Sequence, residues 1–197
     1  MSSTTRICVF CGSKTGAKPV FAESARSLGT EIARRGHGLV FGAGNIGLMN
    51  AVADAVLASG GHVTGVIPES MVRAGLEHRE LQALRVVKTM HERKALMVAL
   101  SSGFVALPGG LGTFEELLEV FTWLQLGIHR NAVGVLNVDG YYDSLLALLD
   151  RAVSEGFLKP MYVDALIVER EPEPLLERIE GFVPPEDATI TLEWTDL

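Results

Sequence analysis

The chain has 197 residues, 48% of them hydrophobic and 21% charged, which suffices to bury one sizeable core and does not call for a second domain. A formal net charge of −7 excludes a general nucleic-acid binder, whose surface must be basic to neutralise phosphates. A site for a small anion would need positive charge locally instead.

Residues 1–7 are polar and then run straight into an apolar strand, without the charged and apolar regions of a secretory leader, so a cytoplasmic protein is expected. That strand, predicted at 6–11, carries the two cysteines, Cys8 and Cys11. Their odd spacing sends them to opposite faces of a strand. With no second pair to complete a zinc site, buried and inert thiols are the expectation.

Further strands are predicted at 39–41, 63–67, 85–88, 104–107, 132–137 and, more weakly, 165–168. Helical patterns fall at 20–35, 46–58, 91–100, 113–126, 142–154 and 174–180. Strands alternating with helices, with glycine at the switches, indicate βαβ units. The fold expected is an α/β Rossmann-like three-layer sandwich around a mostly parallel sheet of about seven strands, one domain over residues 1–181. Residues 69–84 show no period and read as a long connection. Residues 95–114 carry no charge, yet Ser101, Ser102, Pro108 and several glycines break them, so they read as buried helix, strand and loop and not as a membrane span. The acidic, proline-containing stretch 182–197 reads as a C-terminal extension.

Ligands of open parallel sheets sit beyond the carboxyl ends of the strands. His37 and His62 precede their strands and are therefore expected to be structural or solvated. Three glycine-bearing strand-to-helix junctions remain: Cys11-Gly12-Ser13-Lys14, the run from Phe41 to Met49, and the run from Pro108 to Glu116. Glycine lets backbone N–H groups surround an oxyanion, and the helix N-terminus adds partial positive charge. In the second junction Gly42-x-Gly44-x-x-Gly47 fits a dinucleotide fingerprint, or serves only close helix packing.

The third junction, Pro-Gly-Gly-Leu-Gly-Thr-Phe-Glu-Glu, is more specific. Thr113 and Glu116 could form a capping box, which would leave Gly109, Gly110 and Gly112 unexplained. Glu115 and Glu116 would repel a phosphate unless cations stood close by. Arg93 and Lys94, opening the preceding helix, are the candidates. Arg93 aligns at helical spacing with Met90, Met97 and Leu100 on an apolar stripe, where it either serves the site or snorkels past the core.

Those residues resemble the Lonely Guy family of cytokinin riboside 5′-monophosphate phosphoribohydrolases, long labelled lysine decarboxylases. The resemblance rests on Pro108–Glu116 and on Met90-His91-Glu92-Arg93-Lys94, and extends through residues 122–129 and 136–142. It implies a Rossmann-like homodimer that hydrolyses the N-glycosidic bond of an adenosine-type 5′-monophosphate. Such a reaction requires no metal, and the five histidines are scattered with no pair at helical ligand spacing, so neither metal nor cofactor is expected. It makes Arg93 and Glu116 the catalytic pair. Glu80, Met90, Lys94, Gly109, Gly110, Leu111, Gly112, Thr113, Phe114, Glu115 and Thr122, with Gly12, Ser13 and Gly44, would line the nucleotide site. Departures lie at Gly42-Ala43-Gly44, at Asn50 and at Lys14, which stands where a small polar residue is usual. The expected mechanism anchors phosphate on the N–H groups of Gly110 to Thr113. Glu116 orients water or stabilises the oxocarbenium-like sugar, and Arg93 keeps Glu116 ionised. The competing readings are a non-catalytic carrier of a phosphorylated cofactor, an NAD(P)-dependent oxidoreductase using Gly42 to Gly47, and a pyridoxal phosphate enzyme using Lys94.

Overall fold

The β-branched runs pair into one sheet in the computed structural model, which describes residues 5–186. Its strands are β1 (Arg6–Phe10), β2 (Gly38–Phe41), β3 (His62–Pro68), β4 (Ala83–Val87), β5 (Gly103–Ala106), β6 (Ala132–Leu136) and β7 (Leu166–Glu169). All pair in parallel, in the order β4-β3-β2-β1-β5-β6-β7. The helices are α1 (Pro19–Arg34), α2 (Gly47–Ala58), α3 (Glu69–Arg73), α4 (Met90–Ala99), α5 (Leu111–Leu126), α6 (Asp143–Ser154), α7 (Pro160–Ala165) and α8 (Pro172–Glu180).

Alternation along the strands builds two cores. Ile7, Val9 and Cys11 of the first strand segment face α1, α2 and α8, packing with Leu28, Ile32, Val52, Val56 and Leu176. Cys8 and Phe10 face the other way, onto Met97 of α4 and Leu117, Val120 and Leu124 of α5. The two cysteines thus lie buried on opposite faces, and burial raises the pKa of both thiols, with the Glu116 charge adding to it. His37 bonds Glu180 at 2.6 Å at the amino end of the sheet, and His62 is exposed.

The order of the strands has the larger consequence. From β1 the chain steps outward through β2, β3 and β4, then returns to place β5 on the other side of β1. The crevice of a doubly wound sheet opens where the winding reverses, here between the loops that follow β1 and β5.

Several elements depart from the sequence expectation. Residues 69–84 contain the short α3, held by Glu69 and Arg73 one turn apart at 3.7 Å. The helix α7 begins at Pro160, a proline in the first turn, where its missing N–H is harmless. Residues 138–140 form a 3-10 turn. Residues 95–114 divide among α4, β5, a loop and α5, and among the described residues no helix is long and apolar enough to cross a membrane. Of the expected extension, 182–186 carry neither helix nor strand and 187–197 lie outside the described residues.

Candidate active site

The helix α5 starts at Leu111, two residues before the predicted 113, with Gly110 as N-cap and no side-chain cap. The capping-box alternative fails for that reason: Thr113 lies inside the first turn, 4% exposed. A helix leaves its first N–H groups without intrahelical partners, and those of Leu111, Gly112 and Thr113 are the ones left here. A Cβ on Gly110 or Gly112 would meet nothing within 4 Å, so packing within the protein does not demand glycine there. What the two glycines leave open is room for a ligand against the backbone.

Beside this turn lies a cavity of about 390 Å³ at the β1/β5 crevice. Gly12, Ser13 and Lys14 form one wall, Pro108, Gly109 and Gly110 another, and Phe21, Leu48 and Tyr141 the apolar remainder. The loops are tied together: Gly12 N–H donates to Pro108 O at 3.0 Å, and Leu48 N–H to Gly12 O at 3.0 Å. The Tyr141 hydroxyl donates to Gly109 O, and its ring lies nearly parallel to Phe114 at 6.3 Å. Tyr141 and Phe21 were not among the expected site residues. Tyr141 stands in the 136–142 stretch, so the signal was present; for Phe21, inside an amphipathic helix, there was none.

Arg93 is 7% exposed. It does not snorkel. Its Nε donates to Val66 O at 3.1 Å and its Nη2 to Gly42 O at 2.7 Å, which fastens α4 to the ends of β2 and β3. Gly42 is required for this seat, since a Cβ there would lie 1.8 Å from Arg93 Nη2. Guanidinium carries five N–H donors; the two carbonyl contacts and the Met90 sulfur, 3.8 Å from Nη1, leave some of them without a protein partner among the described residues. Lys94, on the next residue of α4, binds both Glu115 and Glu119, the latter at 2.9 Å. Burial alone would lower its pKa, but those two carboxylates reverse the shift and raise it. Of the two glutamates expected beside a cation, Lys94 touches Glu115; its second partner is Glu119, which was not expected, and not Glu116.

The electrostatic role expected of Arg93 needs correction. Glu116, in the second turn of α5, makes no hydrogen bond or ion pair with any described residue, and its carboxyl is pushed up to about 7. Burial is the largest cause; Arg93 and Lys94 oppose it, while Glu115 and Glu119 add to it. Arg93 therefore does not hold Glu116 ionised. Desolvation outweighs the cation because the guanidinium is spent on carbonyls, not on the carboxylate.

Other expected residues lie elsewhere. Gly44 is buried, bridged antiparallel to Glu77, with the Met49 side chain where its Cβ would be. Glu80 lines a second cleft with Asn45, Asn50, Asp54 and His78, because the β3–β4 connection is bound to the second junction through His78 N–H and Ala43 O at 2.8 Å. Neither lines the β1/β5 cavity, and Arg93, Lys94 and Glu116 are not among the residues lining it either; of the expected site residues Gly12, Ser13, Gly109 and Gly110 are. Thr122 is exposed on α5 and bonds back to Leu118 O, 12 residues, or about 18 Å of helix, from Gly110. Met90 places its sulfur 3.8 Å from Arg93 Nη1 and is 47% exposed. At the second junction the close-packing alternative is what the structure shows: Gly47, at φ +63°, has the Ser13–Lys14 backbone where a Cβ would stand.

Residues 49–179 match the family described as possible lysine decarboxylase. The chain is 46% identical to a cytokinin riboside 5′-monophosphate phosphoribohydrolase of Arabidopsis thaliana, over 98% of this chain and 89% of that one. It is 49% identical to a probable enzyme of the same name from Oryza sativa subsp. japonica, over 96% and 78%. Among solved structures, a molybdenum cofactor binding protein from Rippkaea orientalis superposes with a TM-score of 0.71 at 22% identity, covering 92% of this chain and 98% of that one. The molybdenum cofactor carrier protein of Chlamydomonas reinhardtii gives 0.70 at 18%, covering 90% and 97%. At such identities the two structures establish the shared fold alone.

Proposed function

The chain belongs to the Lonely Guy family of cytokinin riboside 5′-monophosphate phosphoribohydrolases, and we propose that its β1/β5 crevice cleaves the N-glycosidic bond of such nucleotides and of AMP. Water and a nucleoside 5′-monophosphate give the free base and ribose 5-phosphate. The observation that carries this assignment is Glu116: a carboxyl pushed up to about 7 by burial, without a hydrogen-bond partner among the described residues, in the second turn of the helix whose N-cap, Gly110, lines the crevice and whose first turn offers open N–H groups.

The phosphate sits on the N–H groups of Leu111 to Thr113, where the helix dipole favours an anion. Ribose then lies over the second turn. As the bond to the base lengthens, C1′ gains oxocarbenium character. The Glu116 carboxylate stabilises that charge and accepts a proton from the attacking water. The departing base takes up a proton from solvent. Titration near 7 suits the task, since a base must be ionised before the reaction and able to hold a proton during it. Arg93, fixed by two carbonyls, directs its remaining N–H groups at the ribose hydroxyls.

A homodimer belongs to this proposal. Leu111 (86% exposed), Leu118 (40% exposed) and Thr122 share one face of α5 at helical spacing. Pairing over that face would bring Thr122 of one copy towards the crevice of the other, which its own loop cannot do at about 18 Å. Light scattering on wild type and on Leu118→Glu tests it; a monomeric wild type overturns it.

The lysine decarboxylase description implies pyridoxal phosphate, and the residues do not fit that cofactor. A Schiff-base lysine needs a lowered pKa, whereas Lys94 is held by two carboxylates that raise it. Incubation with AMP and with isopentenyladenosine 5′-monophosphate, followed by chromatography for free base and ribose 5-phosphate, tests the proposal. Release of both products is expected. Tight nucleotide binding with no product would favour a carrier.

A further inference from the structure

The carboxylates at the start of α5 set a condition on any phosphate bound there: a cation must be available to it. Both basic groups expected to supply that charge, and Lys18 nearby in the chain, are already engaged. Lys94 is bound to Glu115 and Glu119. Arg93 is seated on Val66 O and Gly42 O. Lys18, at the end of the loop after β1, is paired with Asp139. Lys14 differs. It is the one basic residue among those lining the β1/β5 cavity, it is exposed, and it has no hydrogen bond or ion pair with any described residue.

Its placement is fixed by backbone, not by its own side chain. The Ser13–Lys14 peptide lies against Gly47, where a Cβ would come within 2.5 Å of Lys14 N. Gly12 is tied to Pro108 O and Leu48 N–H. The residue is thus held across the cavity from Gly109 and Gly110, while its long side chain remains free to turn. Lysine is suited to such a post: a compact charge on a flexible stem, with three donors.

We propose that Lys14 is a phosphate-binding residue of this enzyme, closing its ammonium group onto the 5′-phosphate from the side of the cavity opposite the first turn of α5. The proposal rests on the phosphoribohydrolase reading of the same crevice. Lys14 touches the substrate away from the bond that breaks, so it contributes binding shared by the ground and transition states. The signature is a raised KM with kcat little changed.

The test compares wild type with Lys14→Gln, Lys14→Ala and Lys14→Arg. A charge-assisted contact at an exposed position predicts a KM for AMP about tenfold higher in the Gln and Ala variants, with Arg restoring most of it. Competitive inhibition by ribose 5-phosphate should weaken by a similar factor, and inhibition by free adenine should stay as in wild type. An unchanged KM and unchanged ribose 5-phosphate inhibition would overturn the proposal. Equal weakening towards adenine would overturn it too, since the change would then be a distortion of the loop. If wild type releases no base from any nucleoside 5′-monophosphate, the functional reading fails by itself. Calorimetric titration of wild type and Lys14→Ala with ribose 5-phosphate still decides Lys14 in that event: tighter binding by wild type supports it, equal binding refutes it.

Discussion

Replacing Glu116 by glutamine separates what this residue does for catalysis from what it takes from stability. In the unfolded chain the carboxyl ionises around its ordinary 4.5; in the folded protein it does so around 7, chiefly because it is buried. Between those two pH values the folded state keeps a proton that the unfolded state has lost, so stability falls as pH rises and the loss is complete above about 7. At 1.36 kcal/mol per pH unit the gap corresponds to at most about 3 kcal/mol. Glutamine is isosteric, never ionises, and displaces no hydrogen bond among the described residues. Glu116→Gln should therefore match wild type near pH 4.5 and be more stable by up to about 3 kcal/mol at pH 8. In a domain of this size that is roughly 6–12 °C in Tm. Base release should meanwhile fall by about 10²–10⁴-fold with nucleotide binding kept. Wild-type kcat/KM should rise with pH through a limb near 7, and the variant should lack that limb. Melting curves at both pH values and a pH–rate profile check these together. A Tm difference independent of pH would refute the burial argument, and undiminished turnover would remove Glu116 from the mechanism.

Gly42→Ala puts a Cβ 1.8 Å from Arg93 Nη2; it should evict the guanidinium and lower kcat about as far as Arg93→Ala does, and a near-normal kcat would show that the seat is dispensable. Arg93→Lys retains charge but cannot serve two carbonyls from one planar fork, so a stability loss of about 1–3 kcal/mol is expected in urea melts from a stranded buried carbonyl. Lys94→Met removes a cation that lowers the Glu116 pKa, and the acidic limb of kcat/KM should move to higher pH. Cys8 and Cys11 are buried with raised pKa values; both should resist a thiol reagent in the folded enzyme and react once it is unfolded, whereas fast native labelling would contradict inert thiols.

The sequence exposed most of the elements because each strand and helix carries its period locally. Where it erred, the signal was weak or masked. The start of α5 was misplaced because glycine itself caps the helix, so Thr113 and Glu116 only imitate a capping box. The short α3 and α7 hold too few residues to show a period, although Pro160 marked the second. Gly44 and Glu80 match a pattern in sequence while pointing into packing or a different cleft.

By itself the sequence determined the class of fold, the faces on which Cys8 and Cys11 lie, the loop at Pro108–Glu116 and the closeness of Lys94 to its carboxylates. Periodicity and short motifs are local, and local spacing is all they required. Only the tertiary structure decided which two loops share a crevice, because strand order depends on how the chain returns to place β5 beside β1. It also decided the charge state of the site. Burial raises Glu116, backbone carbonyls claim Arg93, and Lys14 is left as the uncommitted cation at the cavity. Desolvation and hydrogen-bond partners come from residues distant in the chain, and no reading along one strand and helix contains them.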